Sequence, residues 1–113
     1  MTETKPHQFE KDFVYATGLS KYLEGKRVRT GETLHITHIS GTFENLGTTE
    51  FVELGYWNGH AYVPIHKDNP ENTSDYVHWN GDVWLREGQY VYAYFADVAN
   101  GEKMKLRAEG KYE

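Results

Sequence analysis

Histidine is the side chain whose ordinary pKa suits acid–base work near neutrality and whose ring nitrogens most often bind metals, so the six histidines of this chain set the first chemical question. His35 and His38 are the nearest pair within one extended stretch. Their spacing puts them on opposite faces of a regular strand, where they cannot chelate one ion unless a bulge intervenes. His60 and His66 share a face but stand about 20 Å apart along a strand at roughly 3.3 Å per residue. A metal signature on a β-barrel would place two histidines two residues apart, and the series Gly31, His35, His38, Glu44, Gly47 matches that only loosely. Pro64-Ile65-His66 lacks the glycine that a Pro-x-Gly core would supply before a further ligand.

Nucleophilic chemistry finds no better footing. The chain has no cysteine, which excludes thiolate catalysis, thiolate zinc sites and disulfides. No Gly-x-Ser-x-Gly elbow surrounds Ser20, Ser40 or Ser74. The stretch from Gly18 to Gly31 lacks the lysine spacing of a phosphate-binding loop. The expectation is therefore no catalytic residue, no metal and no cofactor.

The residues that stand out are aromatic: nine Tyr, three Trp and five Phe in 113 residues. Tyr90, Tyr92 and Tyr94 alternate with Val91, Ala93 and Phe95, which puts three phenols on one face of a strand and an apolar set on the other. Tyrosine offers a large contact area at low rotamer cost, a property of recognition faces. Phe51 and Trp57 fall together on the mixed face of the Asn58-Gly59 hairpin, with Glu53, His60, Tyr62 and His66. Trp57 and Trp79 precede hairpin turns, and Trp84 completes the set of indoles. Phe9 lies in the extended N-terminal segment. The expected partner-binding residues are Tyr90, Tyr92, Tyr94, Arg107, Trp57, Phe51 and Phe9.

The elements that must hold these residues are short strands. Asn58-Gly59, Asn80-Gly81 and Asn100-Gly101 are the dipeptides that tolerate the positive φ of a type I′ turn. A two-residue loop at Asn58-Gly59 pairs Tyr56 with Ala61, Leu54 with Val63 and Val52 with Ile65, all apolar and on one face. The same loop at Asn100-Gly101 pairs Phe95 with Leu106, Ala93 with Ala108 and Asp97 with Met104. That register sets Arg107 across from Tyr94, within reach of a cation–π stack. The third pair predicts a short hairpin of Tyr76–Trp79 with Asp82–Leu85. In Leu34 to Phe43 the alternation slips, because Leu34 and Ile36 fall on one face and Ile39 and Phe43 on the other. A bulge near Thr37 or His38 reconciles them. Thr17 to Gly25 reads as one or two helical turns, and residues 67–75 as a polar loop.

Six to eight strands at such turn spacings predict an all-β antiparallel sandwich, of jelly-roll or Greek-key type. The expected division is an extended arm over residues 1–12 and a single domain over 13–113. A formal net charge of −5 gives no electrostatic reason to bind nucleic acid or an anionic membrane. The first residues show no apolar stretch of a secretory signal, so the sequon Asn72-Thr73-Ser74 reads as a chance match.

Two segments carry a family likeness. The run Asp82-Val83-Trp84-Leu85-Arg86-Glu87-Gly88-Gln89-Tyr90-Val91-Tyr92-Ala93-Tyr94-Phe95, with the strand Lys103 to Glu109 after it, and Gly31-Glu32-Thr33-Leu34-His35-Ile36-Thr37-His38-Ile39-Ser40-Gly41 together resemble small jelly-roll accessory proteins of tailed bacteriophages, in particular capsid decoration (cement) proteins. That resemblance implies a Greek-key sandwich, usually a homotrimer, seated on the outer capsid lattice of a virion after synthesis in the host cytoplasm. It implies the major capsid protein or another virion protein as partner, an N-terminal arm crossing to neighbouring subunits, and no catalytic residues. Two other readings stand beside it. One is a carbohydrate-binding or receptor-binding module stacking sugars on Trp57 beside Glu53 and His60. The other is a cupin-like metalloenzyme using His35, His38 or His66.

Overall fold

The computed structural model describes residues 5–15, 20–43, 51–68, 76–96 and 103–112. These form eight strands: β1 (Lys5–Tyr15), β2 (Ser20–Glu24), β3 (Leu34–Phe43), β4 (Val52–Trp57), β5 (Tyr62–Asp68), β6 (Tyr76–Leu85), β7 (Tyr90–Ala96) and β8 (Lys103–Tyr112). Two four-stranded antiparallel sheets result, in the orders β1-β8-β3-β6 and β2-β7-β4-β5. The chain crosses between sheets at every step but one, the β4–β5 hairpin. This is the strand order of a jelly roll, and the all-β sandwich expected from the alternation is what forms.

The core is made by the inward residues of both sheets. Leu34, Ile36, Ile39, Val77, Leu85, Met104, Leu106 and Ala108 come from one sheet, and Leu23, Val52, Leu54, Val91, Ala93 and Phe95 from the other. In β3 the pairing shifts between Ile36 and His38 against both neighbours. The extra residue flips the parity, so Leu34 and Ile36 before the bulge and Ile39 after it are all buried, as the slipped alternation required.

Several local expectations are corrected. β7 and β8 do not pair as a hairpin. They lie in opposite sheets, β7 beside β2 and β4, and β8 beside β1 and β3. Their apolar residues still share the core, because they meet it from either side instead of side by side. The dipeptide Asn100-Gly101 lies outside the described residues, as do the sequon and most of the 67–75 loop.

Asn80-Gly81 is not a turn. β6 runs straight through it, paired with β3 on either side, and the register shift there absorbs the extra residue. Gly81 is needed because the Trp79 ring lies against it. A Cβ at that position would stand 2.4 Å from Trp79 Cζ2.

Asn58-Gly59 does turn the β4–β5 hairpin, but with a wider loop, since Trp57 pairs with Tyr62 and Tyr56 with Val63. The Asn58 side chain organises it: the backbone N–H groups of His60 and Ala61 donate to Asn58 Oδ1 at 2.7 and 2.9 Å. Gly59 takes the left-handed φ of 103° that this loop demands. The residues read as a helical turn instead form β2, an edge strand on β7, over Ser20–Glu24. The segment read as an N-terminal arm holds an edge strand, since Lys5–Tyr15 pairs with β8 across the boundary drawn at residue 12.

Candidate interaction face

The outward side of the β2-β7-β4-β5 sheet carries the aromatic residues. Pairing sets Tyr22 opposite Tyr94 and Glu24 opposite Tyr92 between β2 and β7. Between β7 and β4 it sets Tyr94 opposite Glu53, Tyr92 opposite Gly55 and Tyr90 opposite Trp57. Period-two alternation makes all of these neighbours on one face. β5 adds Tyr62 opposite Trp57.

The rings form a continuous layer. Tyr22 stacks on Tyr62 at 4.6 Å between centroids and meets Tyr94 at 4.5 Å and Tyr92 at 5.7 Å. Tyr62 meets Tyr92 and Trp57 edge-on at 4.8 and 5.0 Å. Trp57 stacks on Tyr90 at 6.3 Å, and Phe51 leans on Tyr94 at 5.9 Å. Offset and edge contacts of this kind each add about 0.5–1.5 kcal/mol beyond area burial. Gly55 makes room at the centre, where a Cβ would stand 2.8 Å from the Tyr92 ring and 2.2 Å from the Val63 carbonyl oxygen.

Carboxylates fix the phenols. The Tyr92 hydroxyl donates to Glu53 Oε2 at 2.7 Å, the Tyr62 hydroxyl to Glu24 Oε2 at 3.1 Å, and the Tyr90 hydroxyl to the same Glu24 oxygen. Burial, reinforced by these carboxylate acceptors, pushes Tyr90 and Tyr92 far above the ordinary tyrosine value. Burial also raises Tyr22, helped by Tyr94 and Glu53. Two cations cap the layer: the Arg27 guanidinium lies 4.6 Å from the Tyr90 ring centre and Lys67 Nζ 4.0 Å from that of Phe51.

Five of the seven expected site residues thus meet on one face: Tyr90, Tyr92, Tyr94, Trp57 and Phe51. Tyr90 and Tyr92 are buried by their aromatic neighbours, Tyr92 completely. The accessible skin of the layer is Tyr22, 40% exposed. Tyr22 is outside the expected set because the sequence of its segment suggests helical turns; the alternation of Tyr22 and Glu24 with Leu23 is the signal that marks it as a strand residue.

Arg107 is elsewhere. It lies in β8, on the other sheet, opposite Glu10 and Ser40, and pairs with Glu109 at 2.8 Å. The expected stack on Tyr94 is absent because the β7–β8 hairpin it presupposed does not form, and Arg27 supplies the cation–π contact instead, on Tyr90. Phe9 sits in β1 opposite Ala108, also away from the tyrosine layer.

His35 has its own partner, whereas His38 and His78 both bond Asn80. His35 Nε2 bonds Asp82 Oδ1 at 2.7 Å, and His38 Nδ1 bonds Asn80 Oδ1 at 2.8 Å. His78 lies 6.1 Å from His38 between ring centres. Among the described residues, no group of three or more His, Cys, Asp or Glu is placed to hold a metal ion. The aromatic face offers rigid, partly apolar area.

No family model matches the chain, and no curated protein matches it. A solved structure does. A chain in the acidic stable capsid structure of Helicobacter pylori bacteriophage KHP30 superposes with a TM-score of 0.61 at 12% sequence identity, over 97% of this chain and 88% of that one. The likeness is one of fold, and it spans nearly the whole of both chains.

Proposed function

We propose that this chain is a non-enzymatic structural protein of a phage particle, a capsid decoration protein that docks through the outer aromatic face of the β2-β7-β4-β5 sheet. The observation that carries the reading is the near end-to-end fold likeness to a chain of a phage capsid structure. The aromatic layer supports it from the chemistry, since a face of interlocked rings around Tyr22 brings large area with little side-chain entropy left to lose. Its partner is the major capsid protein or another virion protein. The chain assembles as a homotrimer, and its first strand, with Phe9, forms the sheet edge nearest a neighbouring subunit. In this reading it is made in the host cytoplasm and resides on the virion.

The test is co-sedimentation of the purified chain with procapsids and expanded capsids assembled from the major capsid protein of the same genome, alongside its mass in solution. A trimer that pellets with expanded capsids, and fails to pellet when Tyr22 is replaced by Ala, is the expected result. A monomer that stays in the supernatant with both kinds of capsid refutes the proposal.

A further inference from the structure

On the other sheet, one indole is held open to solvent. Trp84 is 54% exposed, the most exposed large apolar side chain among the described residues. It lies on β6, an edge strand. One ring face is covered: the His35 imidazole stacks on it at 4.2 Å and 1° from parallel. His35 is in turn held by Asp82 at 2.7 Å. The indole is therefore oriented from behind and open in front. The other two tryptophans differ, Trp79 lying over Gly81 and Trp57 under Tyr62.

Trp84 also lines a shallow cleft of about 600 Å³, within the usual range of small-ligand sites, together with Gly31, Glu32, Thr33, Arg86 and Glu87. The rim is held in place. The Gly31 N–H donates to Glu87 Oε2 at 3.4 Å, and Arg29 pairs with Glu32 at 3.2 Å.

We infer that this cleft binds a neutral saccharide, with a pyranose ring stacked on the open face of Trp84. The C–H face of a pyranose is apolar and slightly positive and matches the electron-rich indole face, while its hydroxyls point outward around the ring. Glu32 and Glu87 accept from such hydroxyls, and Thr33 and Arg86 donate to them. Glu32 and Glu87 are balanced by Arg86 in the lining and by Arg29, paired with Glu32, so the rim carries no net charge to recruit a charged ligand. A purely apolar partner would strip water from these charged groups without replacing it. A proline-rich peptide would look for a groove lined by several aromatic rings, and Trp84 is the one aromatic lining residue. His35 is a positioning residue here, acting through the indole.

The test uses the full chain on a glycan array, followed by titration with cellotetraose, chitotetraose and lactose, read by tryptophan fluorescence and by the indole N–H resonance of Trp84. Saturable binding of at least one neutral glycan is expected. Trp84→Ala should weaken it about tenfold or more, Trp84→Tyr should retain part of it, and His35→Ala should weaken it while leaving the rim intact. Thermal melts verify that each variant folds. If Trp84→Ala does not fold, Trp84→Tyr and Glu87→Gln carry the comparison. No binding to any neutral glycan at millimolar concentration overturns the inference, as does binding that is indifferent to these substitutions. A change of solution mass in Trp84→Ala also overturns it, because the ring would then be covered by a second copy.

Discussion

Raising the pH through and beyond the tyrosine range should unfold this protein through its outer aromatic layer. Tyr90 and Tyr92 are buried and donate to Glu24 and Glu53, so their folded pKa values lie far above the ordinary 10.0. A tyrosine whose folded pKa is raised contributes stability that is fully present below its unfolded pKa. That stability is lost as the unfolded chain begins to release a proton the folded chain keeps. One pH unit above 10.0, each such phenol costs about RT ln 11, or about 1.4 kcal/mol, and the two together about 2.8 kcal/mol. Against a total stability of roughly 5–15 kcal/mol this is a large fraction. The assay is urea unfolding followed by circular dichroism at successive pH values from neutrality upward, with tyrosinate absorbance recorded in parallel. Tyr92→Phe should be less stable than the parent at neutral pH, by about 1 kcal/mol for the lost hydrogen bond. Its alkaline slope should be shallower by about 1.3 kcal/mol per pH unit. Parallel slopes for parent and variant, or all nine tyrosines titrating together in the folded protein, would refute the burial argument.

Two further substitutions probe the frame that carries this layer. Gly55→Ala drives a methyl group into the Tyr92 ring and the Val63 carbonyl, and should cost about 1–3 kcal/mol by overpacking, with loss of near-ultraviolet tyrosine dichroism; an unchanged melt would mean the layer is loosely packed. Gly59→Val forces a β-branched residue to a φ of 103° and should destabilise the β4–β5 hairpin by about 1–3 kcal/mol, read as faster amide exchange at Trp57 and Tyr62.

Alternation along β4, β7 and β8 is enough to say which of their residues face inward. Val52, Leu54, Ala93, Phe95, Leu106 and Ala108 all lie in the core as their period-two pattern requires. The slip between Ile36 and Ile39 likewise announced the bulge that lets both be buried. The tyrosine face of β7 and the Phe51–Trp57 face of β4 were legible for the same reason, and their meeting follows because β7 and β4 are neighbours. Alternation has no term for which strand lies alongside. Phe95 and Leu106 satisfy it equally well as hairpin partners or as contacts across a sandwich, and the tertiary structure chose the second. Closing a longer connection adds little entropy relative to the packing it permits, so a turn dipeptide cannot by itself decide the pairing. Asn80-Gly81 shows this most plainly: pairing with β3 on both sides of a register shift outweighs its turn propensity.

The expectation of no catalytic residue rests on spacing in the sequence alone. What only the three-dimensional arrangement decided was the division of the surface. Arg107 went to one sheet, Tyr90, Tyr92 and Tyr94 to the other, and Trp84 to a sheet edge with His35 behind it. Each side chain's face follows from its own strand's pattern, but its company depends on long-range pairing that no local pattern encodes.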